Sequence, residues 1–256
     1  MMRNIRLLIQ YDGASYSGWQ VQPTDVTIQG LIENCLKNIT GDDNNVIAAG
    51  RTDAGVHALG QVACFKTSSK LPPAILQNAL NALLPCDIRI TETEEVYDSF
   101  HARFSAKGKS YIYIVSNERI VSPFLHRYVW RLPYRLDFAA MSESLSYLVG
   151  THDFAAFRGS GCGAKNTVRT IIEATIQRFD SLEFMTLRVE GDFIKFRFEG
   201  DAFLRHMVRN MVGTIVEAGK SKIKPVDIGR IIEGRDRRCA GPTAPAQGLF
   251  LERIIY

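Results

Sequence analysis

The run Gly50-Arg51-Thr52-Asp53-Ala54-Gly55-Val56-His57-Ala58 sets one carboxylate between an arginine two positions before it and a glycine two positions after it. Asn45 to Ala49 reads as a short buried strand, and Gly60 to Phe65 reads as another. Asp53 is therefore expected on a tight loop at the end of a sheet, held rigidly and pointing outward. A carboxylate presented in this way can serve as a nucleophile or electrostatic partner, as in glycoside chemistry. Asp and Gly also gather in turns for backbone reasons, and on the loop alone the turn reading is the better one. Arg51 by itself reads as a solvated arginine, and His57 as a neutral packed histidine.

Two further groups carry chemistry-capable side chains. Arg205 and Arg209 stand four apart, on one face of a helix predicted from about Ala202 to Ala218, beside the apolar stripe Leu204, Val208, Met211 and Ile215. Unaided, these arginines read as a solvated face. Tyr111 and Tyr113 alternate on a predicted strand over residues 108–116 and share a face, which is the pattern of core aromatics.

Composition narrows the class. The chain has 256 residues, 46% hydrophobic and 23% charged, which describes a globular protein of one large or two ordinary domains. The first apolar run, Ile5 to Ile9, is broken by Arg6 and is too short for a leader or a membrane span, so a cytoplasmic location is expected. Five cysteines form no CxxC pair and read as reduced thiols, and no metal-ligand cluster forms among them and the five histidines. Net charge is only +4, but residues 101–135 carry seven Lys/Arg against one acidic residue, and residues 195–239 carry eleven against six. Segregated charge suits a polyanionic partner along one face, and equally two solvated faces with none. Gly50-x4-Gly55 mimics a phosphate loop, yet Val56-His57 stands where Lys-Ser/Thr is needed. No GxSxG supports a hydrolase.

The elements that must position these groups follow from periodicity and punctuation. Strands are expected at residues 3–11, 46–49, 60–66, 88–98, 108–116 and 128–132, then as a run of three at 168–179, 183–190 and 193–199, with a last one at 250–256. Helices are expected from Thr27, a plausible N-cap, to Ile39 before Gly41, then from Pro72-Pro73 to Leu84, at 136–148, at 202–218 and at 225–233. Runs of strands separated by single helices indicate an α+β fold with largely antiparallel sheet. A soft boundary falls near residues 102–108.

The Gly50 to His57 run resembles the catalytic signature of the tRNA pseudouridine synthase A (TruA) family. Four more segments resemble that family in its order: Tyr11 to Gln20, Phe100 to Ala106, Phe203 to Asn210 and Ala244 to Leu249. Gly150 to Phe154, running to Phe157-Arg158, is a looser match. Together they span residues 11–249.

The resemblance implies a pseudouridine synthase fold: two similar α+β halves, expected as 1–105 and 106–256, with sheets joined around a central RNA-binding cleft. It implies isomerisation of uridine to pseudouridine at tRNA positions 38–40 in the anticodon stem-loop, with no cofactor and no metal. It assigns Asp53 as the nucleophile and Tyr111 as the aromatic that stacks on the target uracil. It sets Arg209 against the catalytic aspartate. Arg51 would fill the gap left by a flipped-out uridine or hold phosphate. Arg205 and Tyr16 are RNA contacts at most, and Arg237 and Arg238 read as RNA-facing charge. The implied partners are the tRNA anticodon arm and a second copy of the chain, with no membrane. Gly161 to Asn166 departs from the family in being less polar. The alternatives are a pseudouridine synthase acting on another RNA and a catalytically silent RNA-binding protein.

Overall fold

A computed structural model describes residues 2–184 and 187–256. The elements in chain order are β1 (Arg3–Tyr11), α1 (Ile28–Thr40), β2 (Ile47–Ala48), β3 (His57–Thr67), α2 (Pro73–Leu83), β4 (Ile88–Val96), β5 (Gly108–Ser116), β6 (Trp130–Arg131), α3 (Phe138–Ser146), β7 (Gly150–Asp153), β8 (Val168–Phe184), β9 (Leu187–Gly200), α4 (Met207–Gly219), α5 (Asp227–Gly234) and β10 (Leu249–Ile255). The chain divides into two compact units, residues 1–109 with 250–256, and residues 110–249. Both are α+β and their strands pair mainly antiparallel.

In the first unit the strands run in the order β4-β1-β3-β10, and β2 pairs with β3. Ile5, Leu7 and Ile9 alternate along β1 and are buried, together with Ile28, Ile32 and Leu36 of α1 and Leu76 and Leu80 of α2. Helix α1 begins where the sequence places it. Thr27 Oγ1 accepts from Gly30 N, and the helix stops at Gly41, whose φ of 77° is the left-handed value glycine adopts without penalty. The expected division at 105/106 put residues 250–256 with the second half. They pair instead in the first unit, where β10 runs parallel to the start of β3 and Phe250 stands opposite His57. A parallel return of the chain terminus leaves no local sequence signal.

In the second unit the order is β5-β9-β8-β7, and β6 pairs with β5. Phe154, Phe157, Phe196, Phe198, Met211 and Ile215 form its core. Two long strands replace the three expected over 168–199. Phe179 pairs with Phe193 and Ser181 with Glu190, so Asp180 alone faces Gly191 and Asp192. The Gly-Asp pair that reads as a turn is thus a β-bulge inside β9. The expected strand 183–190 includes residues 185 and 186, which lie outside the described residues. Helix α4 starts at Met207 rather than near Ala202, because His206 takes a left-handed φ of 61° and Met207 N bonds Leu204 O in a turn. β7, which has four residues, was not expected at all.

Candidate active site

The loop carrying Asp53 bridges β2 and β3, whose register sets Ala48 opposite Ala63. Val56 N donates to Asp53 O at 3.1 Å, closing a turn in which Gly55 adopts φ 76°. That positive φ at the third turn position is what glycine supplies there. Thr52 is buried while Arg51 is exposed and Asp53 half-buried, so the loop is anchored between two outward residues.

The anchor comes from the 11–20 segment. Trp19 N donates to Thr52 O at 3.0 Å, and Tyr11 shares a 2.7 Å hydrogen bond with Thr52 Oγ1. A Cβ on Gly18 would come 2.7 Å from Thr52 O, and one on Gly13 would come 2.0 Å from Val56 O. No other residue fits either place, so two motifs separated by some thirty residues lock together by backbone contact. From β3, Gln61 Nε2 donates to Gly50 O at 2.7 Å and weakly to Tyr11 OH at 3.5 Å. Burial pushes the Tyr11 phenol up to about 12, against the opposing pull of its bonds to Thr52 and Gln61. Tyr11 is therefore protonated at neutral pH.

The neighbouring side chains settle several expectations. His57 is buried, stacked on Phe250 with ring centroids 4.7 Å apart, and its Nδ1 lies 3.1 Å from Gly13 N and 3.0 Å from Asp12 Oδ1. It is the packed histidine expected. Trp19 is buried. Tyr16 is only 7% exposed and donates its hydroxyl to Asp87, so its ring belongs to the packing of this unit rather than to a surface open to RNA. Lys109, which the sequence did not single out, lies across the start of the loop, its Nζ 3.1 Å from where a Gly50 Cβ would stand.

The second unit gathers three other motif segments. Tyr111 and Tyr113 are buried, and Tyr111 meets Phe203 edge-to-face at 5.0 Å. Tyr113 OH donates to Pro245 O at 2.8 Å, and Gly248 approaches its ring so closely that a Cβ would lie 2.7 Å away. Burial pushes the Tyr113 phenol up, and the charge of Arg209 opposes the shift. Arg209 is half-buried on α4, with Nε donating to Ala244 O at 2.7 Å and its own carbonyl accepting from Ala244 N at 3.1 Å. Arg205 lies in the turn before α4 and shares no helix face with Arg209. Its Nη1 donates to Ser160 O at 3.3 Å.

Much of the positive charge of residues 195–239 is locally answered. Arg197 pairs with Glu173 and Glu199, Lys220 and Lys222 with Glu217, Arg230 with Asp227, Arg235 with Asp153 and Arg238 with Asp236. Arg237 carries structural bonds. It is half-buried and donates to Ala240 O, Gly241 O, Asn210 Oδ1 and Thr243 Oγ1. Sequence reasoning missed this hub, along with Tyr11 and Gln61. A glutamine on the buried side of a strand was the one available signal. Among the described residues no three His, Cys, Asp or Glu gather into a metal-holding group, and no helix is long and apolar enough to cross a membrane.

The description of one known family, tRNA pseudouridine synthase, matches residues 7–105 and 145–256. The chain belongs to the tRNA pseudouridine synthase family. Curated relatives named tRNA pseudouridine synthase A match it end to end. That of Thermodesulfovibrio yellowstonii is 50% identical over 255 residues, covering 100% of both chains. Those of Acetivibrio thermocellus and Thermoanaerobacter sp. are 46% and 44% identical over 255 residues, again covering 100% of each chain. Among solved structures, a chain of a Cbf5-Nop10-Gar1 complex aligns with 96% of this chain and 57% of its own, at 14% identity and a TM-score of 0.31, a likeness too slight to argue from.

Proposed function

We propose that the protein isomerises uridine to pseudouridine at positions 38–40 of the tRNA anticodon stem-loop, with Asp53 as nucleophile. The observation that carries the reading is the Asp53 turn, held from both sides by Gly13, Gly18, Tyr11 and Gln61, in a chain matched over its whole length by tRNA pseudouridine synthases A. The reaction breaks the N1–C1′ bond, turns the uracil and joins C5 to C1′, releasing the C5 proton to water while N1 takes one up. Substrate and product are isomers, so no redox partner or group donor enters. The Asp53 carboxylate attacks ribose C1′ or uracil C6. Tyr111 stacks on the uracil, Arg51 fills the gap left in the RNA stack, and Arg209 supports the nucleophile electrostatically. The protein works in the cytoplasm, as a dimer whose second copy lengthens the grip on an L-shaped tRNA. tRNA carrying tritium at uracil C5 tests the reading. Isomerisation frees the tritium with chelator present, whereas a silent RNA-binding protein leaves it in place.

Two substitutions separate positioning from contact. Tyr11→Phe keeps the ring and deletes the hydroxyl that holds Thr52. Turnover should fall about tenfold or more as the turn loosens, with tRNA affinity kept, measured by tritium release and filter binding. Equal loss from Tyr11→Phe in affinity and turnover would assign Tyr11 to RNA binding. Tyr111→Phe keeps the stacking ring. If the phenol relays the C5 proton, turnover drops and affinity holds. A fully active Tyr111→Phe limits the residue to stacking, and an active Tyr111→Ala removes it from the site.

A further inference from the structure

The second unit contains a cleft of about 460 Å³, within the size range of small-ligand sites, walled by residues 158–162 on one side and 235–237 on the other. Its donors are unusually unspent. Arg158 is exposed, and its side chain has no hydrogen-bond or ion-pair partner among the described residues. The backbone amides of Ser160 and Gly161 likewise donate to no acceptor among them. Arg205 braces this wall from behind through Ser160 O. Arg237 spends its protons on four neutral oxygens, so no carboxylate cancels its charge.

Arg235 is the second, independent sign. It occupies the position after α5, at φ 54°, where glycine is the unstrained residue. A non-glycine there costs free energy. Its side chain is mostly exposed and reaches Asp153 at 3.1 Å. The two carboxylates nearby leave Arg158 and Arg237 uncancelled. Asp236 is gripped by Arg238 through two nitrogens, which holds its carboxyl down at about 2. Asp153 accepts from Ala155 N and Thr167 Oγ1 through Oδ1 and pairs with Arg235 through Oδ2, so a bound phosphate shares Arg235 with it.

We propose that this cleft is a phosphodiester subsite that takes a backbone phosphate of the tRNA, with Arg158 and Arg235 as its forks and the Ser160 and Gly161 amides as its cradle. Planar guanidiniums and free backbone amides are the donor set that recognises phosphate oxygens. The inference rests on tRNA being the substrate but not on the chemistry at Asp53. None of the residues that line the cleft is assigned to catalysis.

Arg158→Gln and Arg235→Gly, singly and combined, test it. Arg158 has no partner to lose, and glycine relieves the backbone at 235, so melting temperature reports that the fold is kept. The double variant should bind tRNA about ten- to a hundredfold more weakly at moderate salt. Its slope of log affinity against log salt should be shallower by roughly one to two, and its tritium release at saturating tRNA should be unchanged. Affinity and slope equal to those of the parent protein, with the melting temperature kept, would overturn the subsite. A second arm uses inorganic phosphate. Thermal protection by phosphate that the double variant loses, without any change in tRNA affinity, would assign the cleft to a free anion and also overturn the proposal. A protein that releases no tritium, but whose double variant still shows weakened tRNA binding, would keep the subsite and sink the catalytic reading alone.

Discussion

Asp53→Asn is expected to lower tritium release from C5-labelled tRNA by at least about a thousandfold, as removal of a nucleophile does, while tRNA affinity stays within about twofold. The substitution preserves volume and polarity and replaces the anionic carboxylate with a neutral amide, a far poorer nucleophile. Asparagine is also at home at the first position of a β-turn. The turn keeps its backbone bonds in the variant. Its shape comes from Val56 N to Asp53 O, from Gly55 at φ 76°, and from the backbone approaches of Gly13 and Gly18. A residual rate within a few-fold of the parent protein would remove Asp53 from the chemistry. Asp53→Glu makes a useful companion, because it keeps the charge and moves it by one methylene. If placement by the clamp matters, Asp53→Glu should also be severely slowed.

The clamp shows which parts of the site a sequence reader can reach. Gly13 and Gly18 are visible as glycines in the Tyr11 to Gln20 segment. Their reason is visible only in space, because each is required by the backbone of residues 52–56 pressing on it. Helix α1 could be placed to within a residue, since Thr27, Gly41 and a 3.6-residue apolar stripe are local signals. The start of α4 could not. Leu204, Val208, Met211 and Ile215 continue a helical stripe across His206, and nothing local reveals that His206 adopts the left-handed conformation. That one residue separates Arg205 from Arg209 and gives them different surroundings, Ser160 for one and Ala244 for the other. The bulge opposite Asp180 escaped for a related reason, as Gly191-Asp192 is turn chemistry used inside a strand. The packed role of His57 followed from asking what the side chain does when no ligand is assumed, and the same question shows Tyr16 as packing once its bond to Asp87 is seen.

Charge misleads most at Arg237 and Arg238, adjacent arginines with opposite roles, and their contrast gives the second large expected effect. Arg238→Glu should leave the fold intact, because its side chain is 90% exposed and its only partner among the described residues is the neighbouring Asp236. Arg237→Glu should not. Arg237 ties the 240–244 segment to α4 through Ala240 O, Gly241 O, Thr243 Oγ1 and Asn210 Oδ1. Asn210 is fully buried and donates onward to Phe157 O at 2.7 Å. The segment lies so close on the helix that a Cβ at Gly213 would meet Pro242 O at 1.7 Å. A glutamate would turn four donor–acceptor contacts into facing acceptors. The loss should be about 3–5 kcal/mol, as for a broken buried polar network, and the melting temperature should fall by roughly 10 °C in a chain of this size. Because the same segment supplies Ala244 O to Arg209, turnover should fall further than stability alone explains at a temperature where the variant is still folded. An Arg237→Glu protein that melts with the parent would show that the segment is held by packing alone. One that melts early but keeps full turnover below its transition would free Arg209 from any dependence on Ala244.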